Sequence, residues 1–366
     1  MPVSPDHQHA NGEIDIASLH AQDSTGLLAR IDRAVVWDIP LTTPFRGITR
    51  RDGVLLHGPG GWGEVAPFWD YGLEASAPWL ASGLCQALGN SLLPRYRETI
   101  PVNVTVPEVG AQDASDLVRA SGARTAKVKV SGSSDKRSAD LERLEAVRSA
   151  LGRSGKVRID VNGAWDLDTA RENLPLMDRA AGGLEYAEQP CATVYDLADL
   201  RRAVDVPIAA DESIRLSANP LEIVHRRAAD VAILKVAPLG GVHRALDMAE
   251  RLGLPAVVSS ALDTSVGIMA GATLAFSLPS LNHACGLGTT RLLTQDVAEP
   301  SVRPSNGTLR LDAAAPVSER LLNEVKAGPY LTKHWQTRLL HLAGALHARR
   351  QREARDPSRA VAGLPL

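Results

Sequence analysis

Five ionisable residues that each follow or end a short apolar run constrain this chain more than any other feature. In the runs TAKVKV, VRIDVN, LEYAEQP, PIAADES and VAILKV they are Lys129, Asp160, Glu188, Asp211 and Lys235. Successive members are separated by 31, 28, 23 and 24 residues. One strand, one loop and one helix of a (β/α)₈ barrel of ~250 residues use a similar length. The spacing therefore predicts five successive parallel strands whose ends converge on the rim where such barrels hold their active sites.

Composition excludes several classes of partner. Hydrophobic residues make up 44% of the 366 residues and the net charge is −2, so we expect no attraction to nucleic acid or to an anionic membrane. No apolar run has the length of a membrane span, and the polar N-terminus lacks a signal-peptide pattern. Three widely spaced cysteines without a CxxC pattern predict free thiols in a reducing compartment. We therefore expect a cytoplasmic protein that binds a small molecule; the pattern leaves its oligomeric state open.

Strand and helix patterns divide the chain into five parts. Residues 1–27 are polar and are expected to be flexible. Residues 28–100 show strands followed by a helix, which indicates a separate α+β domain. From 101 to 300 strand-like and helical runs alternate, which predicts a parallel barrel of seven or eight βα units, some of them trimmed. Residues 301–335 are expected to return to the first domain, and residues 336–366 to form a helix that frays into a tail.

Turn and cap residues refine this division. GPGG at 58–61 predicts a hairpin, whereas PFRGIT predicts a loop. SADLERLEAVRSALG has its apolar residues on one helical face and ends at Gly152, a suitable C-terminal cap. Asp166 or Asp168 is the candidate N-cap of the next helix, and Asn306-Gly307 predicts a tight turn between two strands.

The three acids predict a metal site. Carboxylate oxygens suit a hard divalent cation such as Mg²⁺, with Mn²⁺ as the alternative. An ion held by Asp160, Glu188 and Asp211 would keep coordination positions for a substrate carboxylate. It would also stabilise the enediolate that forms when the adjacent carbon loses its proton. A single acid at a strand end is more often a helix cap, and Asp211 or Ser213 also suits that role, so the prediction rests on the whole set.

The lysines supply proton chemistry. Lys127 and Lys129 lie two residues apart on one strand, so both side chains face the barrel interior. The positive charge of Lys127 and of a metal lowers the pKa of Lys129, as a general base requires. Lys235 lies on a strand across the barrel and would face the opposite side of a bound substrate. Taken alone, KVKV is also typical of an edge strand protected by charge.

The motifs KVK, DVN, YAEQP, ADES and LK, in this order, resemble those of the enolase superfamily. The second lysine of KVK and the lysine that ends the later strand are similar to the muconate-lactonizing branch. The resemblance extends from about Ala29 to about Pro316 and includes WGEVAPF and SSALDTSVGIMAG. It implies an α/β fold, a modified TIM barrel of the (β/α)₇β type with an N-terminal α+β capping domain. It also implies bound Mg²⁺ and a carboxylate substrate that loses its α-proton.

Within this branch, PFRGITRRDGVLL, DVNGAWD, SSALDTSVG and HACGLGTTRLLTQDV resemble a group of carbon–oxygen hydro-lyases. These dehydrate 2-succinyl-6-hydroxy-2,4-cyclohexadiene-1-carboxylate to 2-succinylbenzoate in menaquinone biosynthesis. The resemblance implies that Lys129 removes the proton next to the carboxylate and then protonates the departing hydroxyl on the same face. Lys235 would stabilise the enediolate as a cation from the opposite face. Asp160, Glu188 and Asp211 would hold Mg²⁺.

Further residues are expected to surround the substrate. The candidates for substrate binding are Arg46, Lys127, Ser259, Ser260, Thr264, Gly286 and Gly288. Arg46, in a loop of the first domain, would meet a carboxylate. The two glycines would let backbone N–H groups approach the succinyl carboxylate. Asn162 is expected to orient the metal ligands from behind.

Related activities stay open. Both lysines also suit an N-acylamino acid racemase or a muconate cycloisomerase. HACGLGT lacks the Asp-x-Asp pair with which dipeptide epimerases hold an ammonium group, and PAVVSSALD lacks the histidine of the acid-sugar dehydratases. A non-catalytic carboxylate-binding barrel would be expected to have lost a lysine or a ligand, and all five residues are present.

Overall fold

An antiparallel sheet and two helices form the N-terminal unit of the fold. The computed structural model describes residues 12–310 and 316–355. The elements of this unit are α1 (Ile16–Gln22), β1 (Arg33–Phe45), β2 (Ile48–Gly58), β3 (Gly61–Val65) and α2 (Leu73–Ala87). The hairpin at 58–61 is present. The predicted loop PFRGIT is instead a two-residue hairpin turn, because Arg46 and Gly47 both adopt the positive φ that such a turn requires.

Seven parallel strands form the second sheet. They are β5 (Val104–Val106), β6 (Thr125–Lys129), β7 (Lys156–Asp160), β8 (Leu184–Glu188), β9 (Ile208–Ala210), β10 (Val231–Lys235) and β11 (Ala256–Ser259), paired in chain order. Isolated parallel bridges link Val102 to Cys285 and Ser259 to Gly286. Residues 285–286 thus bridge the segment just before β5 to the last residue of β11, and they close the sheet into a barrel whose eighth strand is minimal. The predicted (β/α)₇β architecture is confirmed.

Helices pack around the outside of the barrel. They are α3 (Ala111–Ser121), α4 (Arg137–Leu151), α5 (Leu167–Ala181), α6 (Val194–Ala203), α7 (Glu212–Arg215), α8 (Glu222–His225), α9 (Val236–Leu239), α10 (Val242–Leu252) and α11 (Ser265–Ser277). Gly152 caps α4 with a positive φ, and Asp166 caps α5 by accepting a bond from the Thr169 N–H. The outward strand residues and the inner helix faces form one large apolar core. Helices α7 and α8 have only four residues each, so they belong to the shortened βα units that the sequence predicted.

The two parts of the return segment, residues 301–335, pack against different units of the fold. A short strand β12 (Thr308–Arg310) pairs with β4 (Thr99–Pro101) after a turn at Asn306-Gly307, and Leu309 packs in the barrel core. This part of 301–335 therefore does not pack on the N-terminal unit. From residue 317 onward, α12 (Glu319–Glu324) and the start of α13 (Pro329–Arg355) bury apolar side chains in the core of the N-terminal unit. The first half of this segment thus packs on the barrel, and the second half packs on the N-terminal unit.

Both ends of the described chain are more ordered than their composition predicts. Residues 1–11, 311–315 and 356–366 lie outside the described residues. Residues 12–27, expected to be irregular, contain α1, capped by Asp15 and anchored by the buried Leu19. Helix α13 does not fray within 336–355. No helix of the described residues is both apolar enough and long enough to cross a membrane.

Helix α13 should contribute measurably to stability, because its inner face completes the core of the N-terminal unit. Leu342 is fully buried there, whereas Leu340 is only partly buried. Leu342→Ala is expected to lower the free energy of unfolding by about 2–5 kcal/mol. Leu340→Ala should cost clearly less. Urea unfolding of both variants measures the difference, and equal losses would contradict this packing.

Candidate active site

The register of the parallel strands brings the key side chains to one end of the barrel. Lys129 lies beside Asp160, and Asp160 beside Glu188, across neighbouring strands. Asp211 follows the last residue of β9, and Lys235 ends β10. Because side chains alternate along a strand, all five face the interior at the carboxyl ends of the strands. The structure thus brings together the five residues that the sequence spacing predicted to converge.

Two lysines of β6 neutralise the first two acids. The ammonium group of Lys127 lies 2.8 Å from Oδ2 of Asp160 and 2.9 Å from Oε1 of Glu188. That of Lys129 lies 2.6 Å from the same Asp160 oxygen and donates to Oδ1 of Asn162 at 2.5 Å. Lys127 is therefore engaged with carboxylates rather than free to bind a substrate. Asn162, predicted to support the metal ligands, contacts the candidate base directly.

A second group of ion pairs surrounds the third acid. Oδ2 of Asp211 accepts from Lys235 at 2.5 Å, and Oδ1 accepts from Nε of Arg215 at 2.9 Å. Arg215 also donates to Glu212 at 2.7 Å and to the Tyr71 hydroxyl at 2.6 Å. Tyr71 belongs to the N-terminal unit, so this arginine connects the two halves of the structure at the site.

Burial and charge displace the pKa values of the site. Burial acts to raise the pKa of Asp160, but the charges of Lys127 and Lys129 outweigh it and hold the value below the ordinary range. Burial and then the charge of Asp160 raise the pKa of Glu188 to about 7. Burial lowers the pKa of Lys129, and the charge of Lys127 adds to that effect while Asp160 opposes it. A lysine with a lowered pKa is a better general base near neutral pH.

The chemistry of the three acids fits a divalent cation. Within the described ranges, no three His, Cys, Asp or Glu side chains are grouped as a ready ligand set, because lysine and arginine groups lie between the carboxylates. Asp160, Glu188 and Asp211 are nonetheless at most 1% exposed and place carboxylate oxygens at the ends of three adjacent strands. Burial raises the pKa of Glu188 most, and the negative charges of Asp160 and Asp211 add to that rise. A divalent cation would offset this repulsion.

A pocket opens above these groups. Its wall includes Phe45, Arg46, Phe68, Tyr71, Thr105, Lys127, Lys129, Asp160, Asn162, Arg215, Lys235, Ser259, Ser260, Ala261, Leu262, Gly286 and Thr289. Arg46, at the tip of the β1–β2 hairpin, stacks on Phe68 and reaches Asp70 at 3.4 Å. The hairpin of the N-terminal unit thus forms the roof, as the interpretation of Arg46 as a closing residue requires.

Gly286 borders the pocket but not in the predicted way. Its N–H donates to the Val258 carbonyl at 2.8 Å and closes the barrel, so it does not face a ligand. A Cβ at this position would lie 2.5 Å from Oγ of Ser259, which explains the glycine by close packing. The Ser260 hydroxyl is likewise engaged, with the Gly286 carbonyl at 2.6 Å and the Thr289 hydroxyl at 2.8 Å.

Two other predicted residues lie away from the pocket wall. Thr264 is fully buried as the N-cap of α11. Gly288 borders a separate cleft near Arg291 and Pro304. Neither position is therefore placed to contact a substrate in the pocket. Thr264 serves as a helix cap instead, and Gly288 lies at another cleft.

Several wall residues were missed by the sequence reasoning. Arg215 lies four residues after Asp211, a spacing that would place both on one face of a helical turn. Tyr71, Phe45 and Phe68 come from loops and strand ends of the N-terminal unit, where no periodic pattern marks them. Only the docking of that unit on the barrel brings them to the site.

Family models match both halves of the chain. Residues 110–316 match the enolase C-terminal domain-like model, and residues 36–87 match the enolase N-terminal domain-like model. The chain is 52% identical to the o-succinylbenzoate synthase of Thermobifida fusca over 305 residues, which are 82% of this chain and 93% of that protein. It is 48% identical to the o-succinylbenzoate synthase of Mycobacterium ulcerans over 84% of this chain and 93% of that protein.

Solved structures agree on the fold. The muconate lactonizing enzyme from Pseudomonas fluorescens, complexed with muconolactone, matches 87% of this chain and 100% of its own with a TM-score of 0.68 and 22% identity. The dipeptide epimerase from Cytophaga hutchinsonii, complexed with Mg and a dipeptide, matches 81% of this chain and 98% of its own with a TM-score of 0.65 and 22% identity. At this identity the likeness concerns the architecture.

The link from Arg215 to Tyr71 can be tested by its effect on stability. Arg215 is 4% exposed, so a nitrogen that loses its partner stays buried without a hydrogen bond. Tyr71→Phe is expected to lower the free energy of unfolding by about 1–3 kcal/mol. Tyr330→Phe, at a tyrosine that is 79% exposed, is the control and should leave it unchanged. Chemical unfolding measures both; no difference between the variants would contradict the link.

Proposed function

The chain belongs to the enolase superfamily and, within it, to the family of the o-succinylbenzoate synthases, and on this premise we propose how its residues perform the reaction. The reaction removes water from 2-succinyl-6-hydroxy-2,4-cyclohexadiene-1-carboxylate and yields 2-succinylbenzoate, a step of menaquinone biosynthesis. The observation that carries the assignment of roles is the placement of Lys129 and Lys235, 14% and 11% exposed, on strands β6 and β10 around three buried acids. These strands are separated by three others, so the lysines approach a bound ring from opposite sides.

Lys129 is proposed as the base and then the acid. Its uncharged amine takes the proton from the carbon that carries the carboxylate, and the electron pair moves into the carboxylate as an enediolate. The resulting ammonium gives a proton to the hydroxyl on the neighbouring ring carbon, which leaves as water while the ring double bond forms. The lysine ends uncharged, and substrate equals product plus water.

Lys235 is proposed as a fixed cation. It remains protonated and faces the other side of the ring, where it stabilises the charge of the enediolate. Lys127 holds the acids in place, and Asn162 accepts a hydrogen bond that directs the Lys129 amine. Arg46, in the pocket wall, is proposed to meet the succinyl carboxylate. Aromatisation makes the step strongly downhill.

Asp160, Glu188 and Asp211 are proposed to hold Mg²⁺. When bound, the ion supplies Lewis-acid stabilisation to the substrate carboxylate. Its positive charge would offset the negative charge of Asp160, which adds to burial in raising the pKa of Glu188 to about 7.

Lys129→Ala tests the base. Turnover of the cyclohexadiene substrate, followed by the absorbance of the aromatic product, should fall ~10²–10⁴-fold because the proton transfer group is lost. Lys136→Ala, at an exposed lysine, should keep wild-type turnover. Retention of more than about a tenth of kcat in Lys129→Ala would contradict the role. Exchange of the α-proton of N-succinylamino acids in deuterated solvent, without dehydration, would instead favour a racemase.

Glu188→Gln tests the metal site independently of turnover. Replacing a direct ligand should weaken Mg²⁺ binding at least as much as the ~10–100-fold that outer partners of a metal typically cause. Titration calorimetry of wild type and variant gives the two affinities. Glu212→Gln, in which the altered acid pairs with Arg215 and Asn162 instead, is the matched control. An unchanged titration of Glu188→Gln would remove this residue from the ligand set.

A further inference from the structure

The carboxyl group of Glu64 reaches from the N-terminal unit to helix α11 of the barrel. Glu64 lies in β3 and is 4% exposed. Its oxygens accept from the Thr264 N–H at 3.2 Å each, from the Thr264 hydroxyl, and from the Gly267 N–H at 2.9 Å. The first N–H groups of a helix have no partner within the helix. A side chain of one half of the protein therefore caps a helix of the other half.

Glycine is required at the second of these contacts. A Cβ added to Gly267 would lie 2.7 Å from Cβ of Asp263 and 3.0 Å from Oε2 of Glu64. The first distance is shorter than carbon atoms tolerate, so any side chain would push the helix away from the carboxylate. Gly267 of the motif SVGIMAG thus allows the close approach of Glu64.

Two neighbouring contacts hold the loop between β11 and α11. The Asp263 carboxylate accepts from the Ala261 N–H at 3.0 Å, and Arg51 of β2 donates to the Ala261 carbonyl at 3.4 Å. Between them, Leu262 has a φ of +60°, a conformation that residues other than glycine rarely adopt. This backbone persists only because its surroundings fix it. Ala261 and Leu262 are part of the pocket wall, so the loop faces the substrate.

The loop also lies next to Lys235. A cavity of ≈ 10 Å³, about the room of one water molecule, is bounded by Lys235, Asp263 and Gly267 among others. Gly267, which contacts Glu64, and Lys235 therefore line the same small cavity.

We propose that Glu64, with Arg51 and Asp263, forms an interdomain latch that positions the pocket wall at residues 259–262. Glu64 is a positioning residue, since it acts through Thr264 and Gly267 and does not line the pocket. Its effect on turnover rests on the proposed function, whereas its effect on the loop does not.

The latch contains two acidic side chains, Glu64 and Asp263, and one basic side chain, Arg51. Burial and then the charge of Asp263 raise the pKa of Glu64 to about 8, and burial raises the pKa of Asp263. The charged groups that face this pair are Arg51 from β2, which opposes both shifts, and Lys235 from β10, which opposes that of Asp263. The folded chain binds the Glu64 proton more tightly than the unfolded chain does. This stabilisation is complete below the ordinary value of 4.5 and is lost as pH rises through about 8.

Glu64→Gln is the test, and Glu13→Gln is the matched control. Glutamine keeps the volume but turns an NH₂ group toward the N–H donors of α11. Glu13 belongs to the same unit and pairs with Arg33 and Lys326, away from the loop. Hydrogen exchange followed by mass spectrometry should show about tenfold faster exchange of peptides covering 259–268 in Glu64→Gln only, the scale of a lost cap.

Two further readouts separate the latch from a general loss of stability. KM for the cyclohexadiene substrate should rise about fivefold in Glu64→Gln, with kcat less affected and with Mg²⁺ binding unchanged. From pH 5 to pH 8 the wild type should lose stability as Glu64 ionises, whereas glutamine cannot ionise. The melting temperature of Glu64→Gln minus that of wild type should therefore increase over this range. That of Glu13→Gln should keep a constant offset, since the lowered pKa of Glu13 acts only at more acidic pH.

Unchanged exchange at 259–268 in Glu64→Gln would overturn the latch, and so would an equal increase in Glu13→Gln. Exchange is measured without substrate, so this result does not depend on the reaction. Absence of wild-type dehydration would overturn the proposed function and leave the exchange result standing.

Discussion

Compensation of buried charge is the constraint on which the rest of the structure depends. Four cationic and four anionic side chains meet at the barrel mouth: Lys127, Lys129, Arg215, Lys235, Asp160, Glu188, Asp211 and Glu212. Removing one partner of such a buried pair leaves a charge without solvent, which is costly. A shift of β6 by one residue would turn Lys129 toward the helices and break the set. The charge pairing therefore requires this strand register, and the cost of breaking the pairs favours this register over others.

The N-terminal unit takes part in the same compensation. Tyr71 completes the hydrogen bonds of Arg215, and Arg46 brings a further cation to the roof. On the opposite side, Glu64 reaches the first turn of α11. The pocket is thus built between two parts of the fold, and the barrel alone would leave Arg215 and the α11 amide groups without these partners. Docking of the unit is a condition for the chemistry.

Local patterns made much of this structure predictable. The alternation of TAKVKV and the spacing of about one βα unit identified the strands and the five charged side chains, because both depend only on neighbours in the chain. Tyr71 and the close approach of Gly286 to Ser259 depend on docking and barrel closure, so no periodic pattern marks them. Helix α13 was underestimated because its polar face dominates its composition, although Leu339 and Leu342 are fully buried.

The balance of charge also limits what can enter the site. The four cationic and four anionic groups balance, and the uncharged base form of Lys129 in the proposed reaction leaves the cluster with one excess negative charge. A divalent cation alone would then leave one positive charge in a buried site, and a carboxylate alone would add to the negative charge. Together they offset one another, so we expect each to favour the binding of the other. The first carboxylate of the substrate brings the cluster to neutrality, and a second one needs a cation of its own, which gives Arg46 at the pocket roof a use beyond the metal.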